Sequence, residues 1–117
     1  AFSRFGTRLD EDTRRKIGRG RRVREVLKQQ QYQPVPVPEQ IAVMIAVTEG
    51  VLDETPLEDV EQAERAIRQA VTQQFGDLSA RILAGQAVSR KDQEELVRVM
   101  QRVVRNMNNK DADHANT

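Results

Sequence analysis

Residues 28–53 read KQQQYQPVPVPEQIAVMIAVTEGVLD. Pro34, Pro36 and Pro38 alternate behind Tyr32, the only tyrosine. A residue that precedes proline is pushed out of the α region, so the backbone from Gln33 to Val37 is expected to run extended. Pro38 suits the opening turn of a helix, where a missing N–H costs nothing. Ile41, Val43, Met44, Ile45 and Val47 follow almost without charge. A helix apolar around most of its surface belongs inside a fold. The segments on either side are charged and one-sided, so they are expected to pack around it.

Upstream, Phe2 and Phe5 lie one helical turn apart and Gly6 follows. This predicts a short leading helical stub that Gly6 closes as a C-cap. Asp10 is a suitable N-cap for the next helix, with Glu11 and Asp12 in a first turn that favours carboxylates. That helix is expected over 11–28, with Ile17, Val23, Val26 and Leu27 on its apolar side and arginines over the rest. Gly18 and Gly20 cost about 1 kcal/mol each against alanine in mid-helix, which predicts close approach of another backbone.

Downstream, Glu49-Gly50 ends the apolar helix. Thr55-Pro56-Leu57-Glu58 predicts a capped helix start with Glu58 closing a capping box. Leu57, Val60, Ile67, Val71, Phe75 and Leu78 form an apolar stripe, and Glu61, Glu64, Arg65 and Arg68 are expected outside it as i, i+4 ion pairs. Gly76 breaks this helix, Asp77 restarts a short one and Gly85 closes it. Ser89-Arg90-Lys91-Asp92 is a further capping signature, followed by a stripe of Leu96, Met100, Val103 and Met107. No strand pattern and no repeat appears. The fold class is therefore all-α: a small bundle of about four main helices with the leading stub, over 1–108, and an unstructured C-terminal tail over 109–117, which has almost nothing to bury.

The chain has 117 residues, with 19 Lys+Arg against 18 Asp+Glu. That balance does not describe a generic nucleic-acid or membrane binder. The distribution is uneven. Residues 1–33 hold 10 basic and 4 acidic side chains, and residues 34–117 hold 9 and 14. The basic helix 14–28 is expected to meet the acidic stretch 49–64 within one fold. The absence of cysteine excludes a disulfide framework and thiolate metal sites. No apolar run approaches the roughly 18–20 residues that span a bilayer. The opening Ala-Phe-Ser-Arg-Phe, without an initiator Met, fits a piece cut from a longer polypeptide.

No catalytic constellation is present. His114, the only histidine, falls in the tail, where it lacks the pocket and positioning partner that a general base needs. Gly18-Arg-Gly20-Arg lacks the strand and the Gly-Lys-Ser/Thr ending of a phosphate loop. No aromatic residues interleave the basic helix for base stacking. The residues alone describe an all-helical domain that binds protein.

Several blocks carry a resemblance: Phe5-Gly6-x-x-Leu9-Asp10-x-x-Thr13, Leu27-Lys28-Gln29-x-Gln31-Tyr32-x-Pro34, Val37-x-Glu39-Gln40-x-Ala42-Val43 and Gly50-x-Leu52-Asp53. Together they resemble the C-terminal helical domain of the α subunit of F-type ATP synthases. The match is strongest over the first half. Gln30 stands where the family usually has proline, and Val51 where it usually has tyrosine; these departures point to a divergent branch of the family, an alternate bacterial form.

The resemblance implies a structural role for Gln29, Gln31, Tyr32, Pro34, Glu39, Gln40, Gly50, Leu52 and Asp53. It implies an α subunit whose β-barrel crown and nucleotide-binding domain, with its ATP or ADP and Mg, are not part of these residues. The domain itself would hold no cofactor and no metal and would be non-catalytic. Its partners would be the β subunit and the rotor γ subunit of a peripheral, proton-transporting complex on the cytoplasmic face of the bacterial inner membrane. It would bind no nucleic acid and insert in no membrane, and alone it would have faces through which to self-associate. Aligned on the shared Leu-x-Gln…aromatic segment, the acidic rotor-facing DELSEED loop of β falls over Thr7 to Thr13. Leu9, Asp10, Glu11 and Asp12 are thereby expected to form a rotor-facing turn, and Arg14, Arg15 and Arg21 a basic face toward β. The alternative is a free-standing interaction domain that presents 14–28 to an anionic partner.

Overall fold

The computed structural model describes the backbone over residues 2–115 and side chains over residues 10–109. Five α-helices follow one another: α1 (Phe2–Tyr32), α2 (Val37–Thr48), α3 (Val60–Gln74), α4 (Gly76–Leu83) and α5 (Arg90–Ala115), with a 3-10 turn at Leu57–Asp59 before α3. No strand occurs among the described residues. The all-α expectation holds.

The proline-ruled bend behaves as its chemistry requires. Pro36 is extended at φ −55° and ψ 143°, and α2 starts directly after it with Pro38 in its first turn. The Gln40 side-chain amide donates to the Val35 carbonyl at 2.6 Å and so ties the bend to the helix it introduces. α2 then packs against α1, α3, α4 and α5. It is central in that sense, yet only Pro38, Ala42, Val43, Ala46 and Val47 are buried on it. Ile41, Met44 and Ile45 stay half-buried along its outer side. The core joins Val26 of α1, Ala42, Val43, Ala46 and Val47 of α2, Leu52, Val60, Ala63, Ile67 and Val71, with Leu96, Met100 and Val104 of α5.

α2 ends at a glycine C-cap. Val51 N–H donates to Ala46 O at 2.9 Å, a six-to-one bond that needs the intervening residue left-handed, and Gly50 has φ +82°. Gly85 closes α4 in the same way at φ +90°. At α5 the capping signature is realised: Asp92 N–H donates to Ser89 Oγ at 3.1 Å, and Ser89 N–H donates to Asp92 Oδ2 at 3.3 Å.

Four expectations are corrected. First, α1 is one continuous helix, so Gly6 does not cap a stub and Asp10 does not start a new helix. Residues 7–17 contain no proline and are mostly good helix formers; one glycine costs about 1 kcal/mol, too little to stop propagation. Second, no backbone approaches the mid-helix glycines. A Cβ on Gly18 would meet only the Arg22 guanidinium of the same helix at 3.0 Å, and one on Gly20 would meet nothing within 4 Å. Third, Thr55 caps no helix. Pro56 is extended and the 3-10 turn intervenes, so α3 begins at Val60, beyond the reach of Thr55; neither start carries a side-chain cap bond. Thr55 is instead fully buried, its hydroxyl without a partner among the described residues. Fourth, Glu64 is 3% exposed rather than outside, because it follows Val60 by one helical turn and shares the face of Ile67 and Val71. At the other end, the backbone of α5 stays helical past residue 108 to Ala115, into the stretch expected as a tail; the side chains of 110–117, His114 included, lie outside the described residues.

Candidate interaction surface

α1 is anchored to the rest of the chain by two arginines on its inward side. Arg19 Nε donates to Asp53 Oδ1 at 3.1 Å, and its Nη2 to Asp53 Oδ2 at 2.9 Å, a fork that holds α1 against the turn after α2. Arg22 Nη2 donates to Thr55 O at 2.6 Å while its Nη1 donates to Gly18 O at 2.9 Å. The expected meeting of the basic helix with the stretch 49–64 is therefore made by these two residues. Neither was legible as special, because a partner some thirty positions away leaves no local pattern.

The remaining cations of α1 among the described side chains are not spent internally. Arg14, Arg15, Lys16, Arg21, Arg24 and Lys28 are exposed, and none has a carboxylate within ion-pair distance among the described residues. Asp10, Glu11 and Asp12 are also exposed, on a helix rather than in a turn, and Leu9 lies in the same helix with its side chain outside the described residues. Successive positions on a helix point about 100° apart, so these three acids face three directions and form no single acidic patch.

The residues of the family-like blocks divide into two groups. Glu39, Gln40, Gly50, Leu52 and Asp53 hold the fold: Arg68 Nε reaches Glu39 Oε1 at 3.2 Å, and Leu52 is fully buried. Arg68 thus serves α2 rather than its expected partner Glu64, while Glu61 and Arg65 do pair at 2.7 Å. Gln31, Tyr32 and Pro34 are exposed, Tyr32 at 76%, and Gln29 is half-buried within 3.5 Å of Glu25. Exposed side chains this large at a turn are available to a neighbour.

A second clamp joins α4 to the start of α5. Arg81 Nη1 and Nη2 donate to Asp92 Oδ2 and Oδ1 at 3.0 and 3.2 Å. The Arg81 fork, aided by the Ser89 hydroxyl, holds the Asp92 carboxyl down to about 2. Burial acts in the opposite sense on Glu64 and raises its carboxyl, with Arg68 offsetting part of the effect.

No group of three or more His, Cys, Asp or Glu able to hold a metal occurs among the described residues. No helix described is long and apolar enough to cross a membrane. What the geometry offers is a helical body with an exposed basic face on α1 and exposed apolar side chains around the bend after it.

Residues 1–103 match the family model described as the ATP synthase alpha/beta chain, C terminal domain. The chain is 53% identical over 96 residues to ATP synthase subunit alpha 2 of Syntrophus aciditrophicus, a match that covers 82% of this chain and 18% of that protein. It is 46% identical over 98 residues to ATP synthase subunit alpha 1 of Rhodopirellula baltica, covering 84% and 19% respectively. It is 43% identical over 105 residues to ATP synthase subunit alpha 2 of Syntrophotalea carbinolica, covering 90% and 20%. The chain thus spans about a fifth of the length of these relatives.

Proposed function

Since this chain belongs to the C-terminal domain family of ATP synthase alpha and beta chains, and its relatives are alpha subunits, we propose that it packs beside β subunits in the alternating ring and faces the rotor γ subunit. In this reading the domain is structural and non-catalytic. Nucleotide and Mg bind in other domains of the α subunit, and the complex sits peripherally on the cytoplasmic face of the bacterial inner membrane. The observation that carries the proposal is the correspondence of 1–103, nearly the whole chain, to that family. The geometry supports the structural role: the anchored half of α1, the α2 hub and the two guanidinium clamps make a body able to pass a load.

The rotor-facing element is then the helical segment from Leu9 to Asp12, exposed at Asp10, Glu11 and Asp12, and Arg14, Arg15 and Arg21 face β. Cysteine crosslinking in the assembled complex tests this. A cysteine at Glu11 of the full α subunit is expected to reach γ cysteines, as a cysteine in the acidic β loop does. If the β loop crosslinks and position 11 never does, the rotor assignment is wrong while family membership stands.

A further inference from the structure

A groove lies between α1 and α2 on their outer side. Its α2 wall is Ile41, Met44 and Ile45, all half-buried, and its α1 wall is Leu27, which is 47% exposed. Leu27 also lines an adjoining depression with Val23, so apolar surface continues along α1. Isolated exposed apolar residues are ordinary; a run along two helices is the mark of a contact surface. The rim is equally one-sided. Arg24 and Lys28 border Leu27, and no carboxylate lines either depression. Both cations are among those without an ion-pair partner described above. Gln30 lines the groove too, and its amide nitrogen is buried without an acceptor among the described residues. The last torsion of a glutamine side chain is broad, so a small turn would bring that donor to an acceptor placed in the groove.

We propose that this α1–α2 groove docks an acidic amphipathic helix of a partner protein. The apolar stripe of such a helix would lie on Leu27, Ile41 and Ile45. Its carboxylates would meet Arg24 and Lys28, and a carbonyl or carboxylate oxygen would take the Gln30 amide. A helix seated in an apolar groove places contacts at i, i+3, i+4 and i+7, a spacing that matches two walls built from helices. The charge pattern selects the occupant, since like charge facing Arg24 and Lys28 would be repelled. The proposal does not depend on the rotor assignment and identifies its partner by chemistry alone.

The test uses the 117-residue chain with isotope-labelled methyl groups and two designed helical peptides of about 18 residues, each with one leucine stripe. One carries glutamates on its polar face and the other lysines. The acidic peptide is expected to bind, with shifts concentrated at Leu27, Ile41 and Ile45. Leu27→Glu, at a half-exposed position outside the core, should weaken it about tenfold or more, with an unchanged circular dichroism spectrum. The pair R24E and K28E should transfer the preference to the lysine peptide. Equal binding of the two peptides, absence of binding or shifts mapped elsewhere would overturn the proposal. So would self-association of the chain through this groove, or preference for anionic lipid vesicles over the acidic peptide.

Discussion

Substituting alanine at two glycines of this chain should change stability in opposite directions. At Gly50 the backbone is left-handed, φ +82°. An L-residue there costs roughly 1–2 kcal/mol relative to glycine. The new Cβ would also lie 2.6 Å from Arg19 Nη2 and 3.1 Å from Asp53 Oδ2, so the fork that anchors α1 must shift. At Gly20, a helical position with nothing within 4 Å of a new Cβ, alanine relieves the glycine penalty and should stabilise by about 0.5–1 kcal/mol. For a chain of this size a kilocalorie moves the midpoint by about 4 °C. Gly50→Ala should therefore lower Tm by about 4–8 °C from the backbone penalty alone, and by more with the fork displaced, whereas Gly20→Ala should raise it by about 2–4 °C. Thermal unfolding followed at 222 nm reads both. A third variant separates the two costs at Gly50: in an Asp53→Ala background the fork is already gone, so only the backbone penalty should remain. If Gly50→Ala is as stable as the parent, or if Gly20→Ala is less stable, the account of these turns fails.

The Asp92 clamp predicts a pH dependence. Its carboxyl is held below the ordinary value of 3.8, at about 2, so the stability it contributes is present above pH 3.8 and is lost as pH falls through 2. Denaturant titrations between pH 5 and 2 should show this acid loss, and Asp92→Asn should be less stable at pH 5 with a flatter profile. Glu64 runs the other way. Burial raises its carboxyl above 4.5, so its contribution is full below pH 4.5 and is lost as pH climbs through the raised value. Glu64→Gln should consequently stabilise the chain at pH 7 and remove that slope; an unchanged neutral-pH midpoint would show that the carboxylate is solvated after all.

Most of the helices were legible because periodicity and caps are local. The bend at Pro34–Pro38, the break at Gly76 and the Ser89–Asp92 cap all depend on residues within four positions of one another. What escaped depends on distance along the chain or on competition between weak signals. Arg19 finds Asp53 and Arg68 finds Glu39 only after the fold brings them together, and charge alone did not separate them from their exposed neighbours. Glu64 was misplaced because its charge outweighed its register, although one turn after Val60 it had to face inward. Asp10 looked like a cap because a cap needs only the right side chain, whereas a helix already running needs a stronger interruption than Gly6 to stop. Asp53 and Gly50, both in the family-like blocks, are approached closely by Arg19 in the fold, a contact no local pattern announces.

Residues 10–17 of α1 are exposed along their whole length, about 12 Å of helix standing clear of the bundle. The first tertiary bond along α1 among the described side chains is made at Arg19. A force applied to this exposed segment therefore works as on a lever whose fulcrum is the Arg19–Asp53 fork, with Arg22 braced on Thr55 one turn further along. The stiffness of that joint, rather than the strength of any contact at the tip, sets how much of an imposed tilt reaches α2.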